Sequence, residues 1–452
     1  MASKDKKVVV LGAGYVSSPL VEYLARDPKV GITVASGLKE EGDAIAAKHD
    51  NCESVLLDIK ERPDLLADLV KGADVVISVL PYSLHAEVAK HCIKHKTNMV
   101  TASYLNPELR ELHSAAQEAG ITVVNEVGLD PGIDHLLAME CFDEVHRGGG
   151  KVKNFVSFCG GLPAPEFSDN PLRYKFSWSP RGALLNTLSG AKYLKDGKVV
   201  DIPAGGSLLD ATEEFGFLPG LALEGFPNRD STIYKVLYGI PDAQTILRGT
   251  LRFKGYSDVI KGLLKLGLID PEPCPHLHQG GPDVTWKEYI CNQLGRTDAN
   301  IFDDNLRSLV LEKVGNSPSR LAGIEALGLL KEDPLVKCDN PLDTISYFLS
   351  KKLSLEPGER DLIVLRHEIG ILWPDGSEEL RGINFVCYGE SNGYSAMAKT
   401  VGYPCAIATK MVLDGEIQAK GMVLPFTREI YRPMLQRLAD EGITATEKSI
   451  WL

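Results

Sequence analysis

The chain has 452 residues, with 49 Lys and Arg against 61 Asp and Glu, a net charge of −12, and 44% hydrophobic residues. That composition excludes wholesale disorder and allows about two to four domains at roughly 100–200 residues each. It also argues against nucleic acid as the main partner, because phosphate binding needs a basic stripe and no basic run exceeds Lys6-Lys7. No apolar run approaches the ~20 residues of a membrane span, so no membrane partner is expected. Nine cysteines between Cys52 and Cys405 contain no C-x-x-C pair. Neither a disulfide framework nor a zinc ribbon is expected, and a reduced, cytoplasmic setting fits best. The apolar stretch Val8–Leu11, stopped by Gly12, is too short for a signal-peptide core.

Over the first 130 residues, short β-branched runs alternate with helical stretches. Strands are predicted at Lys7–Leu11, Gly31–Ala35, Ser54–Leu57, Asp74–Leu80, Asn98–Ala102 and Thr122–Asn125. Between them, Pro19–Arg26, Asp64–Lys71, His85–Lys94 and Pro107–Ala119 carry apolar residues at helical spacing. Such alternation indicates βαβ units and a parallel, doubly wound sheet. Beyond Gly148-Gly149-Gly150, Val152–Cys159 reads as a strand and a Gly-, Pro- and Asn-rich loop runs to Pro180. Residues 256–345 read as mainly helical, with Leu/Ile spacing in Val259–Leu268, Trp286–Leu294 and Asp304–Val314. Two strands follow, Asp361–Ile371 and Ile383–Tyr388, joined through Asp375-Gly376, a hairpin-turn pair. Tyr394–Leu413 and Glu429–Ala439 read as helices, the first with a kink expected at Pro404.

Gly12-Ala13-Gly14 follows the first strand and opens a helix, with Ser17 where a third glycine is usual. Small residues there let the backbone approach a pyrophosphate held by the helix N-terminus. At the head of a run of βαβ units this predicts a dinucleotide site at Gly12, Ala13, Gly14, Tyr15 and Val16. At the end of the second strand, Ser36-Gly37-Leu38-Lys39 offers neither the carboxylate that binds a ribose 2′-hydroxyl nor an arginine for a 2′-phosphate. NADP and NAD both remain open, with Ser36 and Lys39 available to a phosphate. Asp58 and Ile59 after the third strand are candidates for the adenine side, a solvated strand end being the alternative for Asp58. Val79 and Leu80 end the fourth strand where open α/β sheets bind ligands.

Three polar segments are hard to explain as fold alone. They are Thr101-Ala102-Ser103-Tyr104, Gly128-Leu129-Asp130-Pro131-Gly132-Ile133-Asp134-His135, and Cys159-Gly160-Gly161-Leu162-Pro163-Ala164-Pro165-Glu166 with Asn170–Ser179. With Pro227–Ser231, Arg248–Tyr256 and Gly393–Lys399, they resemble the saccharopine dehydrogenase family in its NAD(P)-dependent, glutamate-forming branch. The resemblance covers nearly the whole chain. It implies a Rossmann-like domain over residues 1–130 completed by 389–452, a central α/β substrate and dimer domain over 131–255 and 346–388, and a helical insert over 256–345. It further implies a homodimer and interconversion of L-saccharopine with L-glutamate and 2-aminoadipate 6-semialdehyde through an imine. One departure concerns the nucleotide: NADP-using fungal members resemble a pattern with arginine after the second strand, where this chain has Gly37.

Saccharopine carries three carboxylates, which guanidinium forks suit better than ammonium groups. The resemblance places Arg229 and Thr250-Leu251-Arg252 on this substrate, together with Ser103 and Tyr104. It places Asp130 between substrate and nucleotide. Trp178 (or Ser179) falls near the nicotinamide, and Ala102, Ser103, Leu129 and Pro131 on the nucleotide. Arg173 and Arg248 fall within the same segments. For proton transfer the candidates are Asp130, Tyr104 and Cys159, each able to titrate when desolvated. The structural alternatives are a surface ion pair with Asp230 for Arg229, a turn for Asp130-Pro131, and simple packing for Cys159. His135 is expected to support its loop. No metal site is expected, because Cys274, His276 and His278 lack a second ligand pair. A carboxynorspermidine-type dehydrogenase and a non-catalytic NAD(P)-binding sensor are the competing functions. A chain starting without a transit segment fits lysine biosynthesis better than degradation.

Overall fold

The structure, a computed structural model, describes residues 6–296 and 303–452. Its strands are β1 (Lys6–Leu11), β2 (Val30–Ser36), β3 (Cys52–Leu56), β4 (Val75–Ser78), β5 (Asn98–Thr101), β6 (Thr122–Val124), β7 (Lys151–Pro163), β8 (Ala191–Lys195) and β9 (Lys198–Ile202). They continue with β10 (Glu213–Phe215), β11 (Leu223–Pro227), β12 (Arg229–Asp230), β13 (Thr245–Phe253), β14 (Asp361–Leu372), β15 (Glu378–Tyr388), β16 (Gly421–Val423) and β17 (Thr446–Trp451).

The first sheet runs β16-β6-β5-β4-β1-β2-β3, and every pair in it is parallel. Parallel sheets are covered on both faces, so their strands read as unbroken apolar runs. β1 shows this directly: Val8 and Val10 enter one core and Val9 and Leu11 the other. The expected doubly wound α/β fold is present. All six predicted strands form within two residues of their expected ends. The helix Lys39–Ala46 was not anticipated, because only Ile45 and Gly42 of its charged sequence are buried. Pro107–Ala119 divides into Pro107–Glu111 and His113–Glu118.

The second sheet runs β10-β11-β13-β7-β14-β15-β17, with β8, β9 and β12 off its side. The β14–β15 hairpin turns at Asp375-Gly376, where Gly376 takes a φ of +88°. β7 continues four residues past Cys159, into what reads as loop. Its glycines are what pack there: a Cβ on Gly160 would lie 2.6 Å from the Leu251 carbonyl oxygen, and one on Gly161 2.5 Å from the Met397 methyl. The helices Tyr256–Lys265, Trp286–Gln293, Asp303–Lys313, Pro318–Leu327 and Pro341–Lys352 form a further core with Tyr174 and Phe226 of the second sheet's flank. The chain's last strand departs from the division given above. Residues 446–451 pair antiparallel with β15 of the second sheet and add nothing to the first. β15 would otherwise present an open edge there, and the exposed, polar sequence of β17 suits an edge strand.

Helix Ala396–Leu413 runs through Pro404 without interruption and packs on the nucleotide-side helix Ser17–Ala25. Contact is closest at Gly402, where a Cβ would meet the Val16 carbonyl oxygen at 2.7 Å and the Leu20 nitrogen at 3.1 Å. Gly402→Val should therefore cost about 1–3 kcal/mol, measured by chemical denaturation. It should also weaken dinucleotide binding, because the Gly12–Val16 turn would have to move. An unchanged denaturation midpoint would show that the helices part freely.

Candidate active site

The carboxyl ends of β1, β4, β5 and β6 lie along one edge of the parallel sheet. Gly12 has a φ of +110°, and a Cβ there would lie 3.1 Å from the Val79 side chain and 3.3 Å from its carbonyl oxygen. Gly14 has nothing within 4 Å of its would-be Cβ, which leaves open space ahead of the helix. Ser17 is fully buried and its hydroxyl donates to the Gly12 carbonyl at 3.0 Å, so it closes the turn where a third glycine is usual. Tyr15 is exposed, Val16 half-buried, and the first turn of Ser17–Ala25 carries no acidic residue. These features fit a pyrophosphate, which needs close backbone and an unopposed helix N-terminus. At the adenosine end, the Ser36 hydroxyl accepts from Leu38 N–H at 3.1 Å, and Lys39 is held by Asp43 at 2.8 Å. Asp58 is exposed and accepts from Lys60 N–H at 2.9 Å, with Ile59 half-buried beside it. A Cβ on Gly37 meets only the Leu57 carbonyl oxygen, at 3.8 Å.

Beyond the end of β6, the loop Gly128–Gly132 folds tightly on itself. Gly132 has a φ of +149°, and a Cβ there would overlap the Gly128 backbone. The loop presents Asp130, with Leu129 and Pro131 buried on either side. Tyr104 donates its hydroxyl proton to Asp130 Oδ1 at 2.7 Å. From the second sheet, Arg248 on β13 donates through one Nη2 to the same oxygen at 2.7 Å and to Asp134 Oδ2. That Nη2 also reaches the Tyr104 hydroxyl at 3.3 Å. Burial raises the Asp130 carboxyl above its ordinary value, against the pull of Arg248. Burial acts on Asp134 in the same sense, but His135 and Arg248 outweigh it and hold that carboxyl low. His135 bridges Tyr238 at 2.6 Å and Glu126 at 2.8 Å, which supports the loop from behind. Cys159 is buried on β7 beside Thr250 and Leu365, and burial reinforced by Asp130 pushes its thiol far up. Tyr104 is raised well above its ordinary value by burial too.

The arginines of the substrate segments separate by what neutralises them. Arg248, which falls within the substrate-like segments, is committed to Asp130 and Asp134. Arg229 is exposed at φ +54°, 4.6 Å from the Tyr104 ring centre and 5.7 Å from that of Tyr82. Its neighbour Asp230 accepts from Thr232, so the ion pair weighed for Arg229 does not form. Arg252 is buried between the rings of Tyr174 and Tyr256, at 4.8 and 5.1 Å. It donates to the Leu251 carbonyl at 2.7 Å, and its Nε has no partner. Among the described residues neither Arg229 nor Arg252 has a carboxylate partner. Thr250 is buried beside Arg252, and the Leu251 side chain lies wholly in the core. Trp178 donates to the Tyr174 hydroxyl at 3.1 Å and so belongs to the aromatic group around Arg252. Arg173 is exposed.

Residues 8–124 match the saccharopine dehydrogenase NADP-binding domain and residues 128–443 the saccharopine dehydrogenase C-terminal domain. The chain belongs to the saccharopine dehydrogenase family. It is 42% identical to the L-glutamate-forming, NADP(+) saccharopine dehydrogenase of Saccharomyces cerevisiae over 98% of this chain and 99% of that one. It is 50% identical to bovine mitochondrial alpha-aminoadipic semialdehyde synthase over 98% of its own length, which is 48% of that protein. The chain thus spans about half the length of the mammalian relatives it matches. The apo yeast saccharopine dehydrogenase superposes with a TM-score of 0.87, covering 98% of this chain and all of that one. A Legionella homospermidine synthase in complex with NAD, 10% identical, shares the fold with a TM-score of 0.53 over 99% of this chain and 92% of that one.

One site residue of this saccharopine dehydrogenase family member escaped sequence reasoning. His85 is fully buried, with Nδ1 2.9 Å from the Ser78 hydroxyl and Nε2 2.7 Å from that of Ser103. Its only sequence signal is its place just beyond the carboxyl end of β4. Burial depresses it to about 4, and burial likewise takes His367 to about 4. Below an unfolded value of about 6.5, the unfolded chain binds protons that these histidines refuse in the fold. Stability should therefore fall as pH drops from about 6.5 to 4, by about 2 kcal/mol per histidine between pH 7 and 5. His85→Asn should flatten the pH dependence of the denaturation midpoint, and an unaltered slope would remove His85 from the account.

Proposed function

We propose that the chain is a saccharopine reductase, an NAD(P)-dependent enzyme that interconverts L-saccharopine with L-glutamate and L-2-aminoadipate 6-semialdehyde. The observation that carries this reading is a pair of guanidiniums without carboxylate partners among the described residues, Arg229 and Arg252, in the segments around a Tyr104–Asp130 pair. Uncompensated cations call for an anionic ligand, and a guanidinium binds a carboxylate through two parallel bonds. When bound at the Gly12–Val16 turn, the oxidised dinucleotide supplies a hydride acceptor. Saccharopine loses a hydride from the carbon beside its secondary amine, and a proton from the nitrogen, to give an imine. Water adds to the C=N carbon, and C–N cleavage releases the semialdehyde and the amino group of glutamate. Overall, saccharopine, NAD(P)⁺ and water become glutamate, the semialdehyde, NAD(P)H and one proton.

In this reading Arg229 and Arg252 hold substrate carboxylates, and positioning supplies most of the rate. Asp130, its carboxyl raised above its ordinary value by burial, takes the proton from the amine and returns one to the departing nitrogen. Tyr104 hydrogen-bonds to that carboxylate and keeps it oriented. The raised thiol of Cys159 serves as a neutral wall or donor, not as a thiolate. NAD and NADP both fit, since Ser36 and Lys39 are already engaged and no residue is built to demand a phosphate. A homodimer, a cytoplasmic location and a biosynthetic direction belong to the same reading. No described helix is long and apolar enough to cross a membrane.

Saccharopine oxidation followed through NAD(P)H absorbance, with both nucleotides side by side, tests the assignment. Turnover of carboxynorspermidine in place of saccharopine, or nucleotide binding with no turnover, would overturn it. Arg229→Ala should raise the saccharopine KM on the order of 10–100-fold, a loss of about 1.4–2.7 kcal/mol, with the dinucleotide KM unchanged. Gly37→Arg should lower the NADP KM and leave that for NAD nearly unmoved, because the site has room for the side chain and an arginine suits a 2′-phosphate. Equal effects on both nucleotides would place the 2′-position elsewhere.

A further inference from the structure

We propose that Arg248 is a positioning residue that decides which of two adjoining carboxylates carries the working proton, keeping Asp134 charged and leaving Asp130 to exchange. The inference rests on the reading of Asp130 as the proton acceptor. It begins from an unusual economy: one Nη2 serves three oxygens from three parts of the chain, Tyr104 after β5, Asp130 in the Gly128–Gly132 loop and Asp134 in helix Ile133–Arg147. The guanidinium is stacked 4.5 Å from the Tyr234 ring centre, its Nε has no partner, and the residue is 4% exposed. It is thus held by its plane and its charge, not by a full set of hydrogen bonds. Within this hydrogen-bonded set one cation faces two carboxylates, so the two compete for it and the less well held one is the easier to protonate.

Geometry settles which one. Asp134 accepts a further bond from Gly132 N–H at 2.7 Å, lies 3.8 Å from His135 Nδ1, and has a side chain 1% exposed. His367 on β14 reaches its backbone carbonyl at 3.0 Å. Asp130 has only Arg248 and Tyr104 as hydrogen-bond partners, and its side chain is 16% exposed, which leaves it open to a substrate amine. The other ionisable groups around the cluster are Cys159 of β7, Tyr234 and Tyr238, and Glu126 behind His135. His135 also draws the Asp130 carboxyl down, but behind burial, Arg248, Asp134 and Tyr104, and its ion pairs are with Asp134 and Glu126. The opposite directions in which the two aspartates depart from ordinary behaviour agree with this division. Because the same guanidinium touches both, a change at Arg248 or at Asp134 must act on Asp130 with opposite signs.

That sign difference is the test. Asp130 works ionised in saccharopine oxidation, so its titration sets the acid limb of the kcat/KM profile. Arg248→Met removes the cation and should carry the limb up by roughly 1–3 pH units, with Arg248→Lys moving it less. Asp134→Asn keeps an acceptor for Gly132 N–H, removes the competing charge, and should carry the limb down. A limb that stays in place while rates fall at all pH values, or that moves the same way in both variants, would reduce Arg248 to a packing role. If Arg248→Met does not fold, Arg248→Lys and Asp134→Asn still decide the sign. Carbon-13 spectra of the aspartate carboxyls, with Asp130 identified by its loss in Asp130→Asn, read the same shifts without turnover. Failure of the saccharopine assignment would show as no turnover with the carboxyl shifts intact. Carboxyl positions that do not respond would overturn the Arg248 proposal alone.

Discussion

A guanidinium taken out of water is costly unless its charge is answered, and at the seam between the two sheets Arg248 is answered by two carboxylates. Breaking a buried pair from one side leaves an uncompensated charge, which costs about 3–5 kcal/mol. Much of the surrounding structure follows from that requirement. Asp130 and Asp134 must arrive from the first sheet's side at the right depth, which forces the tight turn at Gly128–Gly132. The helix that carries Asp134 is then anchored by His135 between Glu126 and Tyr238, and by His367 on its backbone. Tyr104, Tyr234 and β13 close around the charge, which forms a polar cluster beside the apolar core that the two sheets share.

The same requirement distinguishes arginines that sequence alone treats alike. Arg229, Arg248 and Arg252 all sit in segments that resemble substrate-binding ones. Arg248 is spent on the protein's own carboxylates. Arg252 is buried between two tyrosine rings and Arg229 stands over two others, and rings soften the cost of a cation without cancelling it. A charge tolerated but not cancelled is one that an incoming anion improves. The net charge of −12 carries no trace of this arrangement, which depends on three side chains and their immediate company.

What could be read in advance was what local chemistry determines. β1 and the turn after it were legible because an apolar run ends in Gly12-Ala13-Gly14, and the strand ends mark the ligand side of any doubly wound sheet. Of the residues that the resemblance singled out, Tyr104, Asp130 and Arg229 lie against one another, whereas Trp178 joins the aromatic group around Arg252 and Leu251 lies in the core. What could not be read depends on partners distant in sequence. β7 continues through Gly160 and Gly161 because Leu251 and Met397 crowd them, and glycine there looks locally like a loop. β17 pairs with a strand some 70 residues earlier and has no buried face to announce it. His85 sits between two serines that only the fold brings together, and the role of Arg248 appears only when β13 is set against the Gly128–Gly132 loop.

The Gly402 contact has a consequence for the order in which a ribosome delivers this chain. The nucleotide turn near residue 14 is backed by a helix that begins at residue 396, and the sheet it belongs to gains its seventh strand only at residues 421–423. A nascent chain therefore carries an unfinished first sheet, with one helix-covered face bare and the β6 edge unpaired, until residues 396–423 have been made. Synthesis proceeds at about 5–20 residues per second, so that interval lasts on the order of tens of seconds. Residues 396–423 act as the closing piece of a sheet that begins at residue 6, and a chain stopped short of them would display the apolar face of Ser17–Ala25 to whatever chaperone or protease is nearest.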